Sequence, residues 1–144
     1  MFGHKCVLRI GSTDSLGSIA SLLTVGYEVI DFRQAFEQGV DDKGEPQTNV
    51  KGGTFHCVIP QVPSQEIIDW SLDYKSYQKG CFFLFDEEGL IIEKIIFSDA
   101  ACTGMLIDYV DRGSKYISTR FVIHARVINY LNGVNFENKW AGFD

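Results

Sequence analysis

Apolar positions recur at every second residue over most of this chain, and at every third or fourth residue in one short stretch. Residues 5–10 read as a short strand. Residues 11–23 are small and polar with a weakly apolar end, a loop or a short helix. Residues 24–36 read as a long strand in which Val25, Tyr27 and Val29 alternate before the apolar phase moves to Ile30 and Phe32. A one-residue slip of this kind marks a bulge or a bend. Residues 50–59 alternate again, with Phe55, Cys57 and Ile59 on one face and Thr54, His56 and Val58 on the other, until Pro60 and Pro63 end the strand. The helical stretch follows, at residues 64–74. Pro63 and Ser64 are its start signals, and Ile67, Ile68, Trp70 and Leu72 give it one apolar face opposite Glu66, Asp69 and Asp73.

Residues 79–86, KGCFFLFD, are apolar on both faces, as a buried strand requires, and Glu87, Glu88 and Gly89 turn the chain back. Residues 90–110 are long for one strand. Glu93, Lys94, Ser98 and Asp99 interrupt them and Ala100, Ala101 and Gly104 thin them, which predicts a bent strand or two in series. After a DRGS turn at 111–114, residues 116–128 alternate. Ile117, Thr119, Phe121, Ile123, Ala125 and Val127 lie on one side, and Ser118, Arg120, Val122, His124 and Arg126 on the other. Asn132-Gly133 is a tight-turn signal, and the tail NFENKWAGFD predicts a short edge strand or a reach to a neighbour. These elements make a mainly β chain of about seven strands with one amphipathic helix. Short turns make the sheet mostly antiparallel, and long bent strands with glycine interruptions close more readily into a barrel or a tight sandwich than into an open sheet. No repeat, low-complexity segment or boundary divides residues 1–144, so they read as one domain.

A net charge of −6 argues against a nucleic-acid partner or an anionic membrane surface, either of which calls for a basic patch. No apolar run approaches the roughly 18 residues of a membrane span, and the N-terminus lacks the pattern of a signal peptide. The expected location is therefore the cytoplasm during folding, with any later exit by a route that needs no cleaved signal. Cys6, Cys57, Cys81 and Cys102 stand far apart inside apolar runs, which fits buried free thiols and neither a zinc site nor a disulfide framework. His4, His56 and His124 have no second ligand at metal-binding spacing. The acidic pairs Asp41-Asp42 and Glu87-Glu88 sit in turns, where such side chains bond their own backbone. There is no nucleophile elbow, P-loop or dinucleotide fingerprint. No metal, no cofactor and no enzymatic activity are expected.

The stretch 40–54, VDDKGEPQTNVKGGT, carries more information. Asp41, Asp42, Lys43, Gly44 and Pro46 shape an exposed loop that enters a strand through Gly52 and Gly53. Glycine inside a strand marks a bulge or the close approach of another backbone. By local chemistry alone this is a loop running into a bulged strand. Its pattern, Asp41-x-Lys43-Gly44-x-Pro46 and then Val50-x-Gly52-Gly53-Thr54, resembles the tube protein of type VI secretion systems, the Hcp family, in its Bacteroidetes (TssD) branch. The resemblance continues through Trp70 in an acidic helix, Gly80, the run Lys94-Ile95-Ile96-Phe97, Ala101-Cys102, Asp108-Tyr109 and Trp140, and so covers residues 32–140.

The resemblance implies an antiparallel β-barrel of two packed sheets with one flanking helix. It also implies homo-hexameric rings stacked into a tube, sheath and spike proteins as partners, effector proteins as passengers, and secretion without a cleaved signal peptide. Residues 38–49 would then form a loop between subunits or stacked rings. Gly52 and Gly53 are expected to lie under a neighbour's loop, so that a bulky residue at Gly53 cuts assembly and leaves the monomer folded. Arg120, His124 and Arg126 would face the lumen or an interface. Two other readings are a small-ligand carrier, supported by 11 Phe, 6 Tyr and 2 Trp, and the tail-tube subunit of a phage-like contractile injection device.

Overall fold

Among the described residues eight strands, antiparallel at every pairing, form one sheet that curls until its ends meet. The computed structural model describes the backbone of residues 4–12, 23–40, 46–73 and 75–138, and their side chains except at 35–40, 46–52 and 114. The strands are β1 (Lys5–Ile10), β2 (Tyr27–Val29), β3 (Asp31–Val40), β4 (Pro46–Ile59), β5 (Gln78–Phe85), β6 (Ile91–Arg112), β7 (Ser114–Tyr130) and β8 (Asn135–Glu137), and the helix between β4 and β5 is α1 (Gln65–Leu72). Their order is β2-β1-β5-β6-β7-β4-β3, and β8 pairs with β7. β2 and β3 stand at opposite ends of that order, yet only Ile30 separates them in the chain. The Ile30 N–H donates to the Val58 carbonyl at 2.9 Å, so a single bent strand closes the barrel wall. The two expected sheets are thus two halves of one continuous sheet.

The predicted slip explains this bend. Tyr27 and Val29 are buried and Phe32 packs on the same core, which an uninterrupted alternation forbids; the phase breaks at exposed Ile30. The strand does not begin at 24, however. Residues 23–25 are helical, and Gly26 separates them from β2, a position where helices commonly end. A second break lies in β6 and β7. Phe97 pairs with Ile128 and Ala100 with Ala125, and all four are buried although each strand advances three residues between them. Asp99, with φ +49°, sits in the break, and the β5–β6 register shifts beside it between Gln78 and Gly80. Ile128 therefore takes the inward place that alternation assigned to Val127.

Phe32, Phe55, Phe82 and Phe97 fill the interior, with ring centroids 4.5 Å (Phe32–Phe82) to 6.1 Å (Phe55–Phe97) apart. Gly80 admits this packing: a methyl group there would lie 2.5 Å from the Phe97 ring. Helix α1 completes the core. Ser64 caps it by accepting from the Ile67 N–H at 3.3 Å, and Tyr27 holds the cap through Ser64 Oγ (2.5 Å) and Glu66 Oε2 (2.8 Å). Ile67 and Trp70 are its buried residues. The Trp70 indole lies parallel to Phe97 (9° between planes), and its Nε1–H donates to the Ala100 carbonyl at 2.9 Å. That carbonyl belongs to the broken stretch of β6, where a bulge disturbs the ladder and the indole supplies a donor. A smaller cluster, Val7, Cys81, Phe83 and Phe85, is buried on the other face of β1 and β5, which is why residues 79–86 are apolar on both sides.

Candidate functional site

Of the loop residues expected to mediate assembly, Asp41, Asp42, Lys43 and Gly44 lie outside the described residues. Pro46 is the first residue of β4, a position where proline costs no ladder bond. β4 starts four residues before the sequence pattern indicated, because the β3–β4 ladder runs on from Gln38↔Val50 to Val40↔Pro46, across one register shift. Gly52 lies in β4 at an earlier register shift, between Ala35↔Thr54 and Glu37↔Lys51.

Gly53 has a distinct place. β4 pairs with β7 from Ile59↔Thr119 to Thr54↔His124 and then leaves it; β8 takes over beside β7 from Val127↔Glu137. Gly53, with φ +84°, stands at the exchange. Asn138 fills the junction: its N–H donates to the Arg126 carbonyl (2.7 Å) and its Nδ2 to the Ala125 carbonyl (3.0 Å). A Cβ on residue 53 would lie 2.5 Å from the Ala125 oxygen and 2.8 Å from Asn138 Nδ2. The close approach marked by this glycine is therefore made by the chain's own β7 and tail. A bulky residue at Gly53 is expected to strain the monomer itself, because both obstacles are intramolecular and one is backbone.

Two ribbons leave the barrel from opposite ends of β7. The β3–β4 ribbon departs past Gly53, and the β6–β7 ribbon runs past Ile107↔Thr119 to its turn at Gly113. Leu106, Ile107, Tyr109 and Tyr116 on the second ribbon are exposed. Helix α1 borders β6 as far as Met105, whose sulfur receives the Ser71 hydroxyl at 3.9 Å. Beyond it, among the described residues, 106–112 of β6 have β7 alone as a strand neighbour, and 32–40 of β3 have β4 alone. The half-sheet β3-β4-β7-β6 thus ends in two different unpaired edges. Unpaired strand edges are templates for pairing with another chain.

Arg120, His124 and Arg126 share the outward side of this half-sheet, as alternation predicted, but not the same surroundings. Arg120 is exposed between Val58 and Leu106. His124 is half-buried, with Nδ1 3.3 Å from Thr54 Oγ1. Burial, and secondly the charge of His56, push its pKa down. Arg126 is tied down. Its Nε and Nη2 donate to Asp99 Oδ2 (2.9 and 2.6 Å) and its Nη1 to Glu137 Oε1 (2.6 Å), pinning β6, β7 and β8 together at the second break. Asp99 and Glu137 carry no local signal of this role, since each meets Arg126 only through strand pairing. Arg33 and His56 join the same outward side, paired across β3 and β4. With Arg120 they line a surface concavity of about 640 Å³ over Val58, Val122 and Leu106. Among the described residues no three His, Cys, Asp or Glu side chains converge on a metal-sized site.

All four cysteines are free; Cys57, Cys81 and Cys102 are buried and Cys6 is half-buried. Burial pushes the Cys6 and Cys81 thiols up to about 12 and Cys102 to about 11, and raises Cys57 as well. The native protein is expected to resist a thiol reagent at neutral pH and to react at all four positions once denatured. Because the folded pKa values exceed the unfolded 9.0, the thiols favour the fold below pH 9 and cost stability as pH rises towards 12. Rapid labelling of native Cys6 at neutral pH contradicts this, as does stability that stays level across that alkaline range.

The family model described as Hemolysin coregulated protein Hcp (TssD) matches residues 2–141. No curated protein matches the sequence. Among solved structures, Hcp1 from Flavobacterium johnsoniae superposes with a TM-score of 0.75 at 18% identity, over 93% of this chain and 99% of that one. Hcp1 from Salmonella typhimurium gives 0.66 at 10% identity, over 93% and 91%. A chain from the six-fold symmetrised baseplate of the anti-feeding prophage gives 0.53 at 11% identity, over 91% and 93%. At these identities the superpositions establish the shared barrel.

Proposed function

This chain belongs to the Hcp (TssD) family and is a structural subunit of a type VI secretion tube; on that premise we propose that it forms rings by laying the free edge of β3 on one copy beside the free edge of β6 on the next. The observation that carries this reading is the pair of unlike, unpaired edges on one half-sheet. Contact between two different surfaces is head-to-tail, and it closes into a ring when the rotation per copy divides a full turn. The matched chain from a six-fold symmetrised baseplate supports six copies. In such a ring β1, β2, β5 and α1 lie on the outside, where the circumference is larger, and Arg33, Arg120 and His124 face the bore. The two ribbons, leaving opposite ends of β7, give each ring unlike faces and so a direction for stacking.

The role is architectural: the subunit catalyses nothing and takes no cofactor. Its further partners are a contracting sheath, a spike at the tube tip and effector proteins. It assembles in the cytoplasm and leaves through the machine without a cleaved signal peptide. No helix among the described residues is long and apolar enough to cross a membrane. The reading as a small-ligand carrier loses its support, since the aromatic side chains that suggested a cavity pack against one another.

Light scattering on the purified protein should give about six times the 16.2 kDa of one copy. Ile107→Lys with Tyr109→Lys, which puts charge on the β6 edge, should return the mass to a single copy with an unchanged circular dichroism spectrum. A parent protein that stays single at high concentration ends the ring reading.

A further inference from the structure

We propose that the concavity on the outward side of β3-β4-β7-β6 binds an acidic, partly apolar segment of a passenger polypeptide. The ring reading supplies only the location of this site in the bore; the site itself is complete within one copy. Its floor is apolar, with Val58 buried, Val122 half-buried and Leu106 exposed, and Arg33, His56 and Arg120 complete the lining. Among the described residues the Arg120 side chain has no hydrogen-bond or ion-pair partner. Arg33 uses Nε on Asp31, at 3.3 Å, and keeps its two terminal nitrogens for a ligand. Among the described residues Asp31 is the one carboxylate in the lining.

The surrounding charge makes this arrangement informative. The chain carries a net charge of −6, yet this hollow gathers two guanidinium groups and an imidazole. Guanidinium groups grip carboxylates through paired N–H donors, and the floor rewards apolar side chains placed between those carboxylates. An extended segment with acidic and apolar residues interleaved meets both demands. A nucleic acid brings an unbroken row of phosphates towards an acidic protein, whereas a segment with interleaved apolar residues brings fewer charges and aliphatic side chains that fit the floor. Repetition around a ring multiplies weak single contacts into firm retention, while each contact stays weak enough to release.

The test uses fluorescence anisotropy on the full chain, with three labelled probes: a peptide of alternating glutamate and leucine, its lysine–leucine counterpart, and a single-stranded oligonucleotide. The glutamate peptide should bind roughly tenfold or more tightly than the lysine peptide, and its affinity should fall with added salt. Arg120→Glu with Arg33→Glu should remove about a tenfold factor or more, and Arg120→Lys should keep most of the binding. Arg120→Gln reports the same direction should the reversed variant not fold. Equal affinity for the two peptides, indifference to charge reversal, or preference for the oligonucleotide overturns the proposal. Light scattering on the same samples separates the two readings. Rings that ignore the glutamate peptide remove the passenger site and leave the ring; single copies that bind it do the reverse.

Discussion

Trp70→Ala is expected to cost about 3–5 kcal/mol, measured as a lower urea midpoint at unchanged slope. The indole is 1% exposed, lies against Phe97 and belongs to the main core. Its removal opens a cavity between α1 and β6 and also takes the donor from the Ala100 carbonyl. Trp70→Phe separates the two effects: most of the ring contact remains, and the lost hydrogen bond should account for about 1 kcal/mol. Whole domains are stable by about 5–15 kcal/mol, so the alanine variant forfeits a large share. A loss below about 1 kcal/mol for Trp70→Ala would show that the helix is an appendage and not part of the core.

Gly53→Ala should destabilise the monomer by about 2–4 kcal/mol, before any question of assembly arises. Two causes combine. The left-handed backbone, φ +84°, is unfavourable for any L side chain, and the new methyl would press on the Ala125 oxygen from 2.5 Å. Gly133 isolates the first cause. Its φ is +89°, and a methyl there meets nothing within 4 Å. Gly133→Ala should therefore cost only the backbone part, about 1 kcal/mol. Equal losses at the two positions would mean that β7 gives way and that the junction is looser than its distances indicate. An assembly defect in a Gly53 variant can be assigned to the interface only after this intrinsic loss has been subtracted.

The features legible in the sequence were those written in neighbouring residues. Alternation placed Phe55, Cys57 and Ile59 inside, the doubly apolar KGCFFLFD marked a strand buried on both faces, and Pro63-Ser64 marked the start of α1. The slip at Ile30 even located the bend that closes the barrel. What stayed hidden depends on residues distant in the chain. Nothing near Gly53 names Asn138 as its neighbour, and nothing near Arg126 names Asp99 or Glu137, so an arginine that reads as available is in fact engaged. The switch from Val127 to Ile128 follows a break shared by paired strands, which a period counted along one strand does not register. Pro46 reads as loop because its local chemistry is that of a loop; the β3–β4 ladder makes it a strand start.

The join at Ile30 has a mechanical consequence. One half-sheet ends in β2 and the other in β3, and a single peptide step carries the chain from one to the other. Neither half can peel away without dragging on its counterpart, so native-state hydrogen exchange in β1 and β7 should report one common opening event. A part built in this way withstands a thrust along its axis as a block: it holds its shape up to a threshold and then gives way all at once.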